Sequence, residues 1–213
     1  MSFCYKDFLV MRKQLVFYGA FVVIYTGMVL FGMFSVDILP GLAIMVGMMA
    51  PLSSIAYDDQ ARWDKFAACT PGGKGGIVKG KYLFAALLSL GASLLVLALQ
   101  LVLVLLGLVE ADLLSLPLVS LICFGVSLLL NAVLLPLILK FGAEKSRIIS
   151  ICIFVVIFAG IFLVGRWAEV QGGAPALPPW LLSALPLAGA LLVLGGYFLS
   201  YCIARGIYEK KEL

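Results

Sequence analysis

Few residues in this 213-residue chain could do chemistry. It has no His, which removes the commonest general base and the commonest metal ligand. Five Cys, at positions 4, 69, 123, 152 and 202, are odd in number and show no CxxC or paired spacing. They read as small apolar side chains and not as a disulfide frame or a zinc site. Charged residues make up 12% of the chain, about half the usual share, and none falls inside the long apolar runs. A proton relay or an ion-coupled carrier needs an ionisable group at that depth, and an intramembrane protease needs Ser with His, paired carboxylates or a metal. None of these can be assembled, so the chain is expected to be no enzyme by itself and to bind no cofactor or metal.

One polar stretch remains, Tyr57 to Leu83, with the sequence YDDQARWDKFAACTPGGKGGIVKGKYL. Asp58 or Asp59 can cap a short helix, and acidic residues suit its first turn. Trp63, Phe66 and Ala67 follow at i, i+3, i+4 and share one face, while Arg62, Asp64 and Lys65 take the others. Pro71 and the four glycines between Thr70 and Gly76 are expected to break the helix before a basic segment, Ile77 to Lys81. PGGKGG looks superficially like a phosphate-binding loop. The Walker pattern needs Gly at position 68 and Ser or Thr after Lys74, and the chain has Ala68 and Gly75 there. Two readings stay open: a basic loop touching anionic headgroups, and a short amphipathic helix whose aromatic face docks on a partner.

The elements that carry this stretch are apolar. Hydrophobic residues make up 64% of the chain and mean hydropathy is +1.17, which excludes a globular soluble enzyme, a disordered tail and a nucleic-acid-binding domain. Crossing the hydrocarbon core takes about 20 apolar residues in a helix. Charge-free runs of that order predict six spans, approximately 15–36, 38–56, 82–109, 115–139, 148–165 and 180–204, the last starting after a Pro/Gly-rich turn. The expected fold is an all-α integral membrane protein of one domain, residues 1–213. Putting both termini on one side collects fourteen of the fifteen basic residues there, leaving only Arg166 opposite. That side is cytoplasmic by the positive-inside rule. The apolar run after Lys13 is too long for a cleaved secretory peptide, so an uncleaved first helix is expected. Before it, Phe3 to Phe17 mixes Phe8 and Leu9 with Lys6, Asp7, Arg12 and Lys13, which suits a short helix lying in the inner interface.

Within the spans the polar side chains are few, Thr26, Gln100, Ser127, Asn131, Ser150 and Ser200 among them; Pro51, Pro136 and Pro186 interrupt helices, and Gln100, Asn131 and Pro136 could serve a pathway or helix packing. Asn131, five residues before Pro136, serves either a translocation surface or an interhelical hydrogen bond, and the second is favoured. The prolines could kink or hinge their helices.

The polar stretch also carries a resemblance. Tyr57, Asp58, Arg62, Trp63, Asp64, Lys65, Phe66, Ala67, Pro71, Lys74, Ile77, Val78, Lys81 and Tyr82 match a pattern of small ABC-2 type permeases. The opening segment Lys6 to Leu15 looks like theirs too. Within that family the chain looks most like permeases of phenol-soluble-modulin-type peptide exporters. The resemblance implies a homodimer served by a separate ABC ATPase, with ATP and Mg bound by that partner. It implies that residues 57–81 contain a coupling helix contacting the ATPase through Asp58, Arg62, Trp63, Asp64, Lys65, Phe66, Pro71 and Lys74. It also implies an interfacial elbow helix with Phe8, Arg12 and Lys13. An amphipathic peptide is the expected cargo, lipid and a second copy of the chain the further partners, and a bacterial cell membrane the expected location. Four glycines after Pro71 depart from the family's usual turn. The alternative is a non-transporting membrane scaffold or immunity protein binding a partner through the same loop.

Overall fold

A computed structural model describes residues 2–36, 38–63, 73–108, 115–142 and 179–210, with isolated residues 66, 69, 145, 148, 152, 155, 159, 160 and 166 between them. The described residues form five long helices: α1 (Ser2–Leu30), α2 (Ile38–Gln60), α3 (Gly73–Leu105), α4 (Ser115–Phe141) and α5 (Pro179–Glu209). Each contains a stretch long and apolar enough to cross a membrane. The fifth of the six expected spans, 148–165, lies outside the described residues apart from isolated positions.

From α1 to α4 successive helices run in opposite directions, whereas α4 and α5 run parallel, with Gly125, Leu129 and Ala132 meeting Val193, Gly196 and Ser200 in order. Lys6 of α1 meets Asp58 of α2, and Gly75 of α3 lies beside Arg205 of α5, so the basic ends gather at one end of the bundle. α3 is the hub and touches all four other described helices. At about 1.5 Å per residue its 33 residues span roughly 50 Å, more than a hydrocarbon core of about 30 Å, so it reaches well beyond the membrane. Large apolar side chains such as Phe17, Leu94, Leu121 and Leu191 face outward, an arrangement that only lipid can solvate.

Helix ends follow glycine chemistry more closely than charge. α1 stops at Leu30, short of the expected boundary at 36, because Gly32 adopts a φ of 72° and the Met33 and Gly32 amides bond back to the Met28 and Val29 carbonyls. Gly107 ends α3 in the same way, with Leu108 bonding Leu103 and Gly107 bonding Val104.

Two expectations about the basic end are corrected. The opening segment is not a separate interfacial helix: α1 is unbroken from Ser2 to Leu30, since no Gly or Pro occurs before Gly19. Nor do the glycines after Pro71 break the chain through to Gly76: α3 begins at Gly73 and carries Gly75, Gly76 and Gly80 within it. These glycines permit close packing. A Cβ on Gly80 would sit 2.7 Å from the Phe3 Cβ, and one on Gly76 would sit 3.3 Å from its ring. The i, i+4 pair is thus a small-residue seat for α1, the kind that lets membrane helices approach closely.

Two prolines are joined to neighbouring helices by hydrogen bonds. Proline lacks the N–H that would bond the carbonyl four residues earlier. Pro51 therefore frees the Gly47 carbonyl, which accepts from Asn131 Nδ2 of α4 at 2.9 Å and from Ser89 Oγ of α3 at 3.5 Å. Pro136 frees the Ala132 carbonyl, which accepts from Ser200 Oγ of α5, and that hydroxyl lies 2.7 Å from Tyr82 of α3. Gln100 donates to the Val36 carbonyl at 3.3 Å and fixes the turn between α1 and α2. Asn131 and Gln100 are both buried and bonded between helices.

Candidate functional site

The candidate site lies at the basic end, where α2 passes into the residues following it. Its foundation is a cluster of charges. Lys6 and Asp7 come from α1, Asp58 from the last turn of α2, and Lys81 from the third turn of α3. Lys81 Nζ donates to Asp7 Oδ1 at 2.9 Å and to Ser54 Oγ at 2.8 Å, and it is ion-paired with Asp58. Lys6 Nζ donates to both Asp58 oxygens, at 2.7 and 2.8 Å, and lies 3.1 Å from Asp7. Asp7, Lys81 and Asp58 retain only 1%, 4% and 6% of their accessible surface. Two acids and two bases give a neutral set, which is how buried charge is tolerated. Because three helices contribute, the cluster fixes their relative positions.

Asp58 therefore lies inside α2 and does not cap a separate helix. Its helix ends two residues later. Arg62, exposed, takes the left-handed conformation at φ 49°, with its amide on the Asp59 carbonyl. This turn redirects the chain and aims Trp63 back at the bundle.

Trp63 and Phe66 part company there, although helical spacing places them on one face. Trp63 is partly buried against the core formed by Ile55, Ile77, Leu139 and Tyr208, and Lys6 Nζ sits 4.9 Å over its ring. Its indole nitrogen is buried and has no hydrogen-bond partner among the described residues. Phe66 is 75% exposed at the charged end of the molecule. Tryptophan anchors the segment and phenylalanine presents itself outward. Lys74, on the first turn of α3, donates to the Glu209 carbonyl at the end of α5 at 3.4 Å. Asp64, Lys65 and Pro71 lie outside the described residues.

The residues expected in an elbow helix take different roles. Phe8 packs edge-on against Phe84 of α3, with ring centroids 4.9 Å apart, while Arg12 and Lys13 are exposed on the next turn. Gln100, Asn131 and Pro136 belong to the interhelical bonds already described and are not brought to this end.

Sequence reasoning singled out Asp58 but missed its partners. Asp7 is the only acid before Asp37, set among Lys6, Arg12 and Lys13, and that isolation was the available signal. Lys81 stood out as a residue of the basic segment and of the permease pattern, but nothing assigned it a partner. Ser89, the partner of Ser127, also escaped notice. Their hydroxyls lie 3.0 Å apart and close around Gly47, where a Cβ would collide with Ser127 Oγ.

The arrangement is mechanical: an outward aromatic, an inward anchor, and an ionic cluster tying that anchor to three helices. A family model described as ABC-2 family transporter protein matches residues 2–209. No curated protein and no solved structure matches the chain. Five apolar spanning helices and a match over nearly the whole length lead to one conclusion: the chain belongs to the ABC-2 transporter family, as a multi-pass cell-membrane protein and a permease subunit that works with an ABC ATPase.

Proposed function

We propose that the chain is the permease of an ATP-driven exporter, working as a homodimer with a separate ATPase that binds ATP and Mg, and that its cargo is an amphipathic or hydrophobic peptide. Phe66 carries the coupling part of this reading. It is a large apolar side chain exposed at the charged end, three residues beyond Trp63, which rests on the bundle core. A partner groove that takes Phe66 would act on α2 through the Arg62 turn, and on α1 and α3 through Asp58, Lys6 and Lys81. ATP-driven approach of two ATPase chains would then tilt the helices as bodies, the kind of rigid rotation by which packed elements switch. The basic end faces the cytoplasm by the excess of Lys and Arg there. The cargo assignment is supported by the apolar, charge-free spans and by the resemblance to peptide-exporter permeases.

The experiment is co-expression with the cognate ATPase. The two chains should co-purify, the permease alone should hydrolyse no ATP, and Phe66→Ala should abolish co-purification while leaving the permease folded. Retention of the ATPase by Phe66→Ala at the wild-type level would overturn the docking assignment. In liposomes containing both chains, ATP-dependent movement of an amphipathic peptide is expected. Its absence would favour a non-transporting scaffold.

A further inference from the structure

A groove of about 470 Å3 opens between α1, α2 and α3, walled by Phe8, Leu15 and Gly19 of α1, Ala43 of α2, and Gly91 and Leu95 of α3. Small residues hollow it out, since nothing lies within 4 Å of a Cβ built on Gly19 or Gly91. It runs along α1 from Phe8 to Val22, roughly 21 Å at 1.5 Å per residue, from the charged end to about the middle of the hydrocarbon core. That is the depth of one leaflet. Arg12 stands four residues beyond Phe8 on the same side of α1, exposed and with no ion-pair partner among the described residues. Of the described acids at this end, Asp7 and Asp58 are held by Lys6 and Lys81 and Glu209 by Arg205, while Asp59 lies beside Gly142.

We propose that this groove is a binding site for one anionic phospholipid of the leaflet at the basic end, with an acyl chain in the groove and the phosphate on Arg12. Its walls are almost wholly apolar, so an extended peptide would find no partners for its amide groups. Spread over about 21 Å, 470 Å3 leaves a mean cross-section of about 22 Å2, too narrow for a helix about 10 Å across. A hydrocarbon chain has neither requirement. The unpaired guanidinium beside the groove supplies the preference for negative charge that apolar walls cannot. The site is independent of what the transporter carries.

Purified full-length chain, washed free of lipid in detergent, would be incubated with dioleoyl phosphatidylglycerol or dioleoyl phosphatidylcholine, and bound lipid counted by native mass spectrometry. One phosphatidylglycerol should be retained, with a preference of about fivefold over phosphatidylcholine for one arginine at the surface. Arg12→Gln should remove the preference and keep retention of both lipids. Gly91→Leu should remove retention of both, and Gly19→Leu should do the same. Both glycines are helical with open space beside them, so the variants should unfold at or above the wild-type temperature. Equal retention of the two lipids by the wild type would overturn the proposal, and so would undiminished retention by both filled-groove variants. If Gly91→Leu instead converts a dimer to monomers, the groove is covered by a second copy and the lipid assignment is wrong.

Discussion

Asn131 Nδ2 of α4 donates at 2.9 Å to the Gly47 carbonyl of α2, the carbonyl that Pro51 leaves without its helical partner. A carbonyl released in one helix is thereby bonded to a neighbouring helix, and the same relation recurs between Pro136, the Ala132 carbonyl and Ser200. Prolines are tolerated in membrane helices when neighbours re-satisfy the carbonyls they release.

Asn131→Leu should destabilise the protein by about 0.5–2 kcal/mol, the range for interhelical hydrogen bonds in membranes. In a Pro51→Ala background the backbone can satisfy Gly47 itself, so the same substitution should cost distinctly less. Unfolding of the four proteins in a double-mutant cycle checks this, and equal costs in both backgrounds would refute the link.

Gly47→Ala should cost about 1–3 kcal/mol, as overpacking of a tight contact does, because the new Cβ meets Ser127 Oγ and lies 2.8 Å from Ser89 Oγ. Ser127→Gly should recover part of the loss. The thermal midpoint in detergent is the readout. A fully additive pair would mean that the two sites do not touch.

Lys81→Met should be the most damaging change at the basic end. It leaves Asp7 and Asp58 facing each other with only Lys6 between them, and loss of one partner from a buried ion pair costs about 3–5 kcal/mol. Asp7→Leu combined with Lys81→Met removes one charge of each sign and should be more stable than Lys81→Met alone. Denaturant titration distinguishes the two outcomes.

Trp63→Ala and Phe66→Ala should separate stability from assembly. The first removes an aromatic packed on the core and the partner of the Lys6 cation, so its midpoint should fall by an amount worth about 1–3 kcal/mol. The second truncates an exposed side chain and should stay within about 0.5 kcal/mol of wild type. Circular dichroism melts compare them directly, and an equal loss in both would mean that Phe66 is packed.

Much of this was legible beforehand, for identifiable reasons. An interhelical bond was the favoured reading of Asn131 because a lone amide in hydrocarbon must find a partner, whereas Gln100 was open between pathway and packing. The glycine run after Pro71 misled, since propensity treats glycine as a breaker, whereas Gly76 and Gly80 form a seat for Phe3. The opening segment misled similarly: mixed charge read as a helix on the membrane surface, yet Lys6 and Asp7 belong to a buried cluster inside one continuous helix.

The sequence by itself determined the solvent, the long apolar helices that the described residues show, and the end of the bundle that gathers its positive charge. Each of these depends on local composition, because transfer into lipid is decided stretch by stretch. Only the tertiary structure decided which charges pair, which carbonyls are rescued and which face of the Trp63–Phe66 segment looks outward. Those depend on contacts between residues far apart along the chain, such as Lys6 with Asp58, 52 positions away, and Asn131 with Gly47, 84 positions away. Helix packing creates such juxtapositions, and no periodicity along the chain encodes them.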